Sequence, residues 1–283
     1  MTDLERTKIS ELIAQALIED LGDGDHTSLA IIPEHANGKV KLVAKEIGII
    51  AGVEVASMVF KQVDKNLVVK IFISDGSSIV PGDLVMIVEG NSRSLLSAER
   101  TALNFIQRMS GIATFTNEVQ SKIAGLNTKL LDTRKTTPCN RVVEKLAVRL
   151  GGGTNHRFGL YDMIMIKDNH VDFAGGIVNA INSTQKYLKK NNKNLKIEIE
   201  VRNFDELNEV LNNGGVDRIM LDNFSPEQLR KAIDLIDHKF ETEASGGISI
   251  NTIRDFALTG VDFISVGALT HQINSLDLSL VTV

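Results

Sequence analysis

The chain has 283 residues, 43% hydrophobic and 24% charged, which is an ordinary composition for a globular protein of one large domain or two. Its 31 basic and 36 acidic residues leave a net charge of −5, which argues against nucleic acid or an acidic membrane as the main partner. Its one cysteine excludes an internal disulfide and a thiolate metal cluster.

The first part of the chain, to about Gly90, is predicted to combine a helix with short strands. Residues 1–20 are amphipathic and carry charges throughout, unlike the apolar run of a signal peptide. Turn signals separate three strand candidates: Val40–Ala44, Leu67–Ile73 and Leu84–Val88. No apolar run is long enough for a membrane helix, so we expect a cytoplasmic protein with no membrane partner.

Helical periodicity begins near Ser97, the predicted N-cap of a helix. Gly111 is expected to interrupt this helix, and a second helix is predicted from Ile112 to Ala124. The first helix has an apolar face formed by Ala102, Ile106 and Met109. Its opposite face is a polar stripe formed by Arg100, Asn104 and Arg108, and a solvated surface is the simplest interpretation of it.

The rest of the chain alternates strands with helices such as Phe204–Leu211 and Pro226–Ile236. The strand candidates are Lys129–Thr133, Met163–Lys167, Lys196–Val201, Arg218–Asp222, Phe240–Ala244 and Phe263–Gly267. This order predicts a parallel sheet covered by helices, either an open doubly wound sheet or a barrel. Reactive side chains end nearly every strand, which favours the barrel, because barrel enzymes build their sites from several strand ends.

The segment from Asp132 to His170 is basic within an acidic chain. Arg134, Lys135 and Lys167 follow strands and are expected at the barrel mouth, where they suit carboxylate or phosphate ligands. A further basic set at four-residue spacing is predicted to be an exposed helix face: Arg141, Lys145 and Arg149.

Two carboxylates alternate with isoleucines in the strand 196–201, so Glu198 and Glu200 share one face. In a barrel that face is the interior, where a carboxylate needs an ionic partner or a metal. A structural salt bridge to Lys135 or Lys167 is the alternative to a functional role. Asp222 likewise is an acidic residue at the end of an apolar strand, the predicted strand Arg218–Asp222.

Glycine-bearing turns follow the last two strands, at Ser245-Gly246-Gly247 and Val266-Gly267-Ala268. Small residues there can expose backbone N–H groups, so these turns predict a phosphate site. Cys139 is expected to fill space rather than to act as a nucleophile. The histidines without metal-like partners are expected at the surface: His26, His35 and His238.

Taken in chain order, these motifs resemble quinolinate phosphoribosyltransferases over nearly the whole chain. The motifs are Glu99–Phe105, Asp132–Pro138, Gly151–Arg157, Ile166–His170, Leu221–Asn223, Glu243–Ile248 and Ser265–His271. The resemblance implies an incomplete α/β (TIM-like) barrel, residues 111–271, and an N-terminal mixed α/β sandwich domain, residues 1–110, on which residues 272–283 pack back. The chain departs from the family pattern at Cys139-Asn140.

The resemblance implies transfer of a phosphoribosyl group from phosphoribosyl pyrophosphate to quinolinate, with decarboxylation to nicotinate mononucleotide in NAD biosynthesis. It implies a homodimer with shared active sites. The implied quinolinate ligands are Arg100, Thr133, Arg134, Lys135, His156, Arg157 and Lys167. The implied phosphoribosyl pyrophosphate ligands are Glu200, Asp222, Ser245, Gly246, Gly247, Val266, Gly267 and Ala268. Lys135, Lys167, Glu200 and Asp222 are the implied catalytic residues, and the two acids would share Mg²⁺ with pyrophosphate.

Two alternatives remain at this point. A paralogue of the same fold could act on another anionic acceptor, and the motifs do not exclude it. A biotinyl- or lipoyl-like carrier is disfavoured, because no lysine lies between Ser74 and Gly90 to carry the group.

Overall fold

The structure is a computed structural model that describes residues 1–283, and it divides into two compact units. The first unit comprises residues 1–118, 135–153 and 269–283, and the second comprises residues 119–134 and 154–268. This division differs from the predicted domains mainly at residues 135–153, which group with the first unit. The domain assignment itself stays a prediction. No helix is both long and apolar enough to span a membrane.

Helices and strands are interspersed along the chain. Up to the long central helix they are α1 Asp3–Leu21, α2 His26–Ile31, β1 Asn37–Ala44, β2 Gly48–Ile49, α3 Val53–Val63, β3 Val68–Ile71, β4 Ser78–Ile79, β5 Leu84–Asn91 and α4 Ser92–Lys122. Beyond it they are β6 Lys129–Leu131, α5 Arg141–Leu150, β7 Ile164–Ile166, α6 Asp168–Ala174, α7 Ile177–Lys190, β8 Ile197–Val201, α8 Phe204–Asn213, β9 Arg218–Asp222, α9 Pro226–Ile236, β10 Glu241–Ser245, α10 Ile253–Ala257, β11 Phe263–Ser265, α11 Ala268–His271 and β12 Leu278–Thr282.

The first unit is built on an antiparallel sheet in the order β12-β1-β5-β3. The C-terminal strand β12 pairs with β1, so that Leu42 lies opposite Leu280. Leu42, Val85 and Met86 are buried and belong to the core of this unit. A small antiparallel pair, β2 with β4, completes its strands.

The second unit is a six-stranded parallel sheet in the order β6-β11-β10-β9-β8-β7. β6 and β7 are the two end strands, so the sheet does not close, and the incomplete barrel expected from the sequence is confirmed. All five residues of β8 are buried, isoleucine and valine on one face and Glu198 and Glu200 on the other.

Helix α4 corrects the prediction of two helices that meet at Gly111. It runs unbroken from Ser92 to Lys122, and Asn91 rather than Ser97 caps it, since its side chain accepts hydrogen bonds from the N–H groups of Arg93 and Ser94. Gly111 lies inside the helix because a Cβ there would collide with the carbonyl of Asn274. Gly111 therefore permits close packing and does not break the helix.

Helix α5 corrects the prediction of an exposed basic face. Arg149 is exposed and pairs with Glu5 at 2.7 Å, but Lys145 is only 2% exposed and lies in a run of seven buried residues, Val142–Val148. The four-residue spacing did reveal a helix. It did not reveal that neighbouring elements cover most of α5, including Lys145.

Candidate active site

The residues expected to bind substrate are divided between the two compact units. Those in the second unit are Thr133, Arg134, His156, Arg157, Lys167, Glu200, Asp222, Ser245, Gly246, Gly247, Val266, Gly267 and Ala268. Arg100 and Lys135 belong to the first unit. Most of the set in the second unit follows or ends strands of the parallel sheet, the end at which barrel enzymes bind substrates.

A carboxylate cluster with one ammonium group lies where β7, β8 and β9 end. Lys167 Nζ contacts Glu200 Oε2 at 2.9 Å, which confirms the lysine partner considered for this acid. Burial, together with the negative charges of Glu200 and Asp168, raises the pKa of Asp222, although Lys167 opposes that rise. The carboxylate of Asp222 thus experiences two negative charges and one positive charge, and this negative excess suits a cation.

The turn after β10 is shaped by glycines next to this cluster. Gly246 and Gly247 have φ of +97° and +63°, and a Cβ on Gly246 would collide with the side chain of Asn223. The backbone N–H of Asn223 donates to the carbonyl of Ser245 at 2.8 Å. The turns that follow β9 and β10 are thus joined, and the close approach requires glycine.

A second turn, residues 154–157, lies beside the end of β6. Asp132 is fully buried, and its carboxylate accepts the backbone N–H of His156 at 2.8 Å and the side-chain amide of Asn155 at 2.6 Å. Burial and the positive charge of Arg134 lower the pKa of Arg157. The charge of Arg134 is therefore felt at Arg157, and two guanidinium groups within electrostatic range of each other suit a ligand with paired carboxylates.

The side chain of His156 is buried between two glutamates. Its Nε2 lies 2.9 Å from Glu198 Oε2 and 3.2 Å from Glu243 Oε2, and Arg218 also contacts Glu243, at 3.1 Å. Burial opposes protonation of His156, but Glu198 and Glu243 outweigh it and raise its pKa, whereas the backbone N–H of Arg157, which donates to Nδ1, favours the neutral ring. Burial and the charge of Glu243 raise the pKa of Glu198 to about 7. Glu198 thus pairs with a histidine and not with the lysines expected from the sequence.

The three donor atoms of His156, Glu198 and Glu243 lie within 4.8 Å of one another, as in a metal site. Each carboxylate already has a partner within the protein, however, because Arg218 contacts Glu243 and Nε2 of His156 lies beside both acids. We therefore interpret the group as a buried ion-pair network.

Three residues that support this second turn were not among the site residues predicted from the sequence: Asp132, Arg218 and Glu243. Asp132 and Glu243 were recognised only as reactive side chains near strand ends, and Arg218 was given no role. An available signal was a basic residue, Arg218, within a buried strand whose neighbours also carry inward acids. Paired strands with charges of opposite sign indicate ionic contacts.

Other expectations are also decided by the structure. His26, His35 and His238 are exposed, as expected. Cys139 is exposed and has φ of +65°, so the prediction that it fills space is wrong. Arg100 is exposed, but Arg108 of the same predicted stripe donates to the buried carboxylate of Glu144 at 2.9 Å, so the stripe is not wholly solvated.

Comparison with known proteins identifies the family. Models of the N-terminal and C-terminal domains of quinolinate phosphoribosyl transferase match residues 25–110 and 112–281. The chain belongs to the quinolinate phosphoribosyl transferase family.

Individual relatives agree with this assignment. A rice protein named nicotinate-nucleotide pyrophosphorylase [carboxylating], chloroplastic, is 45% identical, with 96% of this chain and 77% of the rice chain covered. The nicotinate-nucleotide pyrophosphorylase structure from Francisella tularensis has a TM-score of 0.91 at 42% identity, covering 98% and 96% of the two chains. The NadC structure from Streptococcus pyogenes has a TM-score of 0.93 at 41% identity and covers both chains fully. The quinolinate phosphoribosyl transferase fold is therefore shared along the whole length.

Proposed function

We propose that this family member transfers the phosphoribosyl group of phosphoribosyl pyrophosphate to quinolinate and releases pyrophosphate and CO₂, giving nicotinate mononucleotide. The observation that supports it best is that Arg134, whose charge lowers the pKa of Arg157, lies in the same unit as the acidic cluster of Glu200 and Asp222. A dicarboxylate acceptor needs the first group, and a ribosyl cation needs the second.

The acceptor is bound, in this proposal, by cationic and polar side chains that match its two carboxylates. Arg134 and Arg157 offer planar forks for bidentate hydrogen bonds, and Thr133 offers a hydroxyl beside them. The other proposed ligands follow from family membership and are Arg100, Lys135 and Lys167. The imidazole of His156 is buried between Glu198 and Glu243, so we assign it to the support of the turn 154–157 rather than to direct contact with the acceptor.

Phosphoribosyl pyrophosphate is bound, in this proposal, by Glu200 and Asp222 at the ribose and by the two turns 245–247 and 266–268 at the 5-phosphate. Mg²⁺ fits the acidic cluster, because hard cations prefer carboxylate oxygens and this cluster carries excess negative charge. When bound with pyrophosphate, Mg²⁺ would neutralise the charge of the leaving group.

The residues act at two stages of the reaction. Positive charge develops on the ribose as its C1′–O bond to pyrophosphate breaks, and Glu200 and Asp222 stabilise that charge while the pyridine nitrogen bonds to C1′. The carboxylate next to the nitrogen then leaves as CO₂, and its bonding electron pair stays on the ring until a proton replaces it. Lys135 or Lys167 stabilises that carbanion.

Incubation of the protein with phosphoribosyl pyrophosphate and either quinolinate or nicotinate tests this function. We expect CO₂ and pyrophosphate in equal amounts with quinolinate, only in the presence of Mg²⁺ or Mn²⁺, and no turnover with excess chelator. Turnover of another anionic acceptor but not quinolinate would establish the paralogue instead. Full activity in chelator would remove the metal from the proposal.

We further propose a homodimer in which Arg100 serves the active site of the neighbouring subunit, as family membership suggests. The cytoplasmic location, and the absence of nucleic-acid and membrane partners, stay predictions of the sequence.

A further inference from the structure

The imidazole of His156 is held at both ring nitrogens. The backbone N–H of Arg157 donates to Nδ1 at 2.6 Å, so in the neutral ring the proton lies on Nε2, where Glu198 and Glu243 are 2.9 and 3.2 Å away. A carboxylate beside one ring nitrogen therefore orients the ring, and the other nitrogen holds the backbone of Arg157. Orientation of a histidine through its second nitrogen is a general device of active sites.

The turn that carries Arg157 is supported from two sides. Asp132 accepts the N–H of His156 at 2.8 Å on one side, and the imidazole accepts the N–H of Arg157 on the other. The guanidinium of Arg157 also donates to the carbonyl of Met163 at 3.2 Å. The position of this proposed acceptor ligand therefore depends on the orientation of the His156 ring.

We propose that Glu243 is a positioning residue, which acts through His156 to fix the turn that presents Arg157 to the acceptor. This proposal rests on the proposed function. Glu243 is fully buried, so its contacts with His156 and Arg218 replace hydration of its charge.

The sheet supplies a matched control for Glu243. Glu241 lies two residues earlier on the same strand, contacts the same arginine, Arg218, at 3.1 Å, and has no contact with His156 among its ion pairs. Glu243→Gln keeps the shape of the side chain and leaves Arg218 paired with Glu241. Glu241→Gln removes a carboxylate from Arg218 and leaves the support of His156 intact.

The first measurement is the KM for each substrate. In Glu243→Gln we expect the quinolinate KM to rise about ten- to hundredfold, as for a lost contact with a charged group, while the phosphoribosyl pyrophosphate KM stays within about twofold. Glu241→Gln should leave both unchanged. An equal rise in both KM values would overturn the proposal, because it would indicate that Glu243 merely supports β10 and the turn at Ser245.

The second measurement does not depend on turnover. Nitrogen-15 NMR of the histidine side chains should show shifted His156 ring resonances in Glu243→Gln and unchanged ones in Glu241→Gln. If Glu243→Gln does not fold, Glu198→Gln removes the other carboxylate at Nε2 and should give the same pair of effects. Unshifted His156 resonances, or shifted ones with an unchanged quinolinate KM, would overturn the proposal.

Failure of the proposed function is recognised separately. In that case the unaltered protein turns over no quinolinate, whereas the NMR comparison still decides whether Glu243 holds the ring of His156.

Discussion

At the scale of single residues, the ammonium group of Lys167 interacts with two carboxylates. Its ammonium group contacts Glu200 at 2.9 Å and opposes the rise in the pKa of Asp222. The lysine is about half exposed, so this ion pair contributes little to folding. This combination of low stabilisation and contact with acidic residues agrees with the catalytic role proposed for Lys167.

We expect Lys167→Ala to remain folded and to lose about 10²–10³-fold in kcat/KM, the usual cost of one preorganised electrostatic contact. Steady-state kinetics and circular dichroism measure the two effects. Lys196→Ala is the control, because Lys196 is an exposed lysine of the same unit that also pairs with a glutamate. Near-normal kcat/KM in Lys167→Ala would remove this lysine from the mechanism.

At the scale of elements, helix α4 shows how packing overrides local preference. Alanine is favoured over glycine inside a helix by about 1 kcal/mol, so propensity alone says that Gly111→Ala stabilises the protein. The carbonyl of Asn274 leaves no room for the added carbon, however. This carbonyl belongs to the backbone, which cannot move aside as easily as the end of a flexible side chain.

We therefore expect Gly111→Ala to lower the free energy of unfolding by about 1–3 kcal/mol, as overpacking does. Urea unfolding followed by circular dichroism gives the value. Asn117→Ala, in the same helix, is a useful reference, since its amide contact to Gly151 is long at 3.5 Å. A more stable Gly111→Ala protein would show that the carbonyl moves aside without cost.

Helix α1 is joined to α5 by an ion pair whose effect depends on pH. The hydrogen bond from Arg149 holds the pKa of Glu5 at about 2, well below its usual range. A carboxyl group with a lowered folded-state pKa stabilises the protein above its unfolded pKa and loses that effect as the pH falls through the folded value. The pair is partly exposed, so we discount its contribution to about 1 kcal/mol.

Glu5→Gln should accordingly lower the free energy of unfolding by about 1 kcal/mol at pH 7, and the difference should shrink between about pH 4.5 and pH 2. Glu11→Gln, exposed on the same helix, should change little at either end of this range. Urea unfolding across the range measures both. A difference for Glu5→Gln that does not depend on pH would contradict the ionic explanation.

At the scale of the whole molecule, the proposed homodimer makes a prediction about Arg100. This exposed residue belongs to the first unit, and its proposed service to a neighbouring subunit can be tested by mixing inactive chains. Arg100→Ala and Lys135→Ala chains are each expected to be inactive. If Arg100 acts in trans, every mixed dimer has one doubly altered site and one intact site.

Random exchange makes about half of the dimers mixed, so about a quarter of all sites should regain activity. Refolding the two chains together and assaying turnover gives the result, and each chain refolded alone is the control. If mass spectrometry finds mixed dimers and activity is not restored, Arg100 does not act in trans.

Much of this molecule was determined by the sequence itself. Helix α9 has the predicted bounds, Pro226–Ile236, because Ser225 caps it in a reciprocal pair with Gln228 and proline begins its first turn. Helix α8 begins at Phe204, as predicted, after the cap Asn203. The strand β9 has its predicted bounds, and the motifs at the strand ends identified the family. Caps, turns and strand periodicity are local, so neighbouring residues suffice to specify them.

Other features were decided only by the tertiary structure. The burial of Lys145, the unbroken helix at Gly111 and the pairing of Glu198 with His156 depend on residues far away in the chain. A periodic pattern tells which residues share a face, but not which element covers that face or which charge lies opposite. Those contacts arise when the strands of the sheet take their order in space, and no local rule specifies that order.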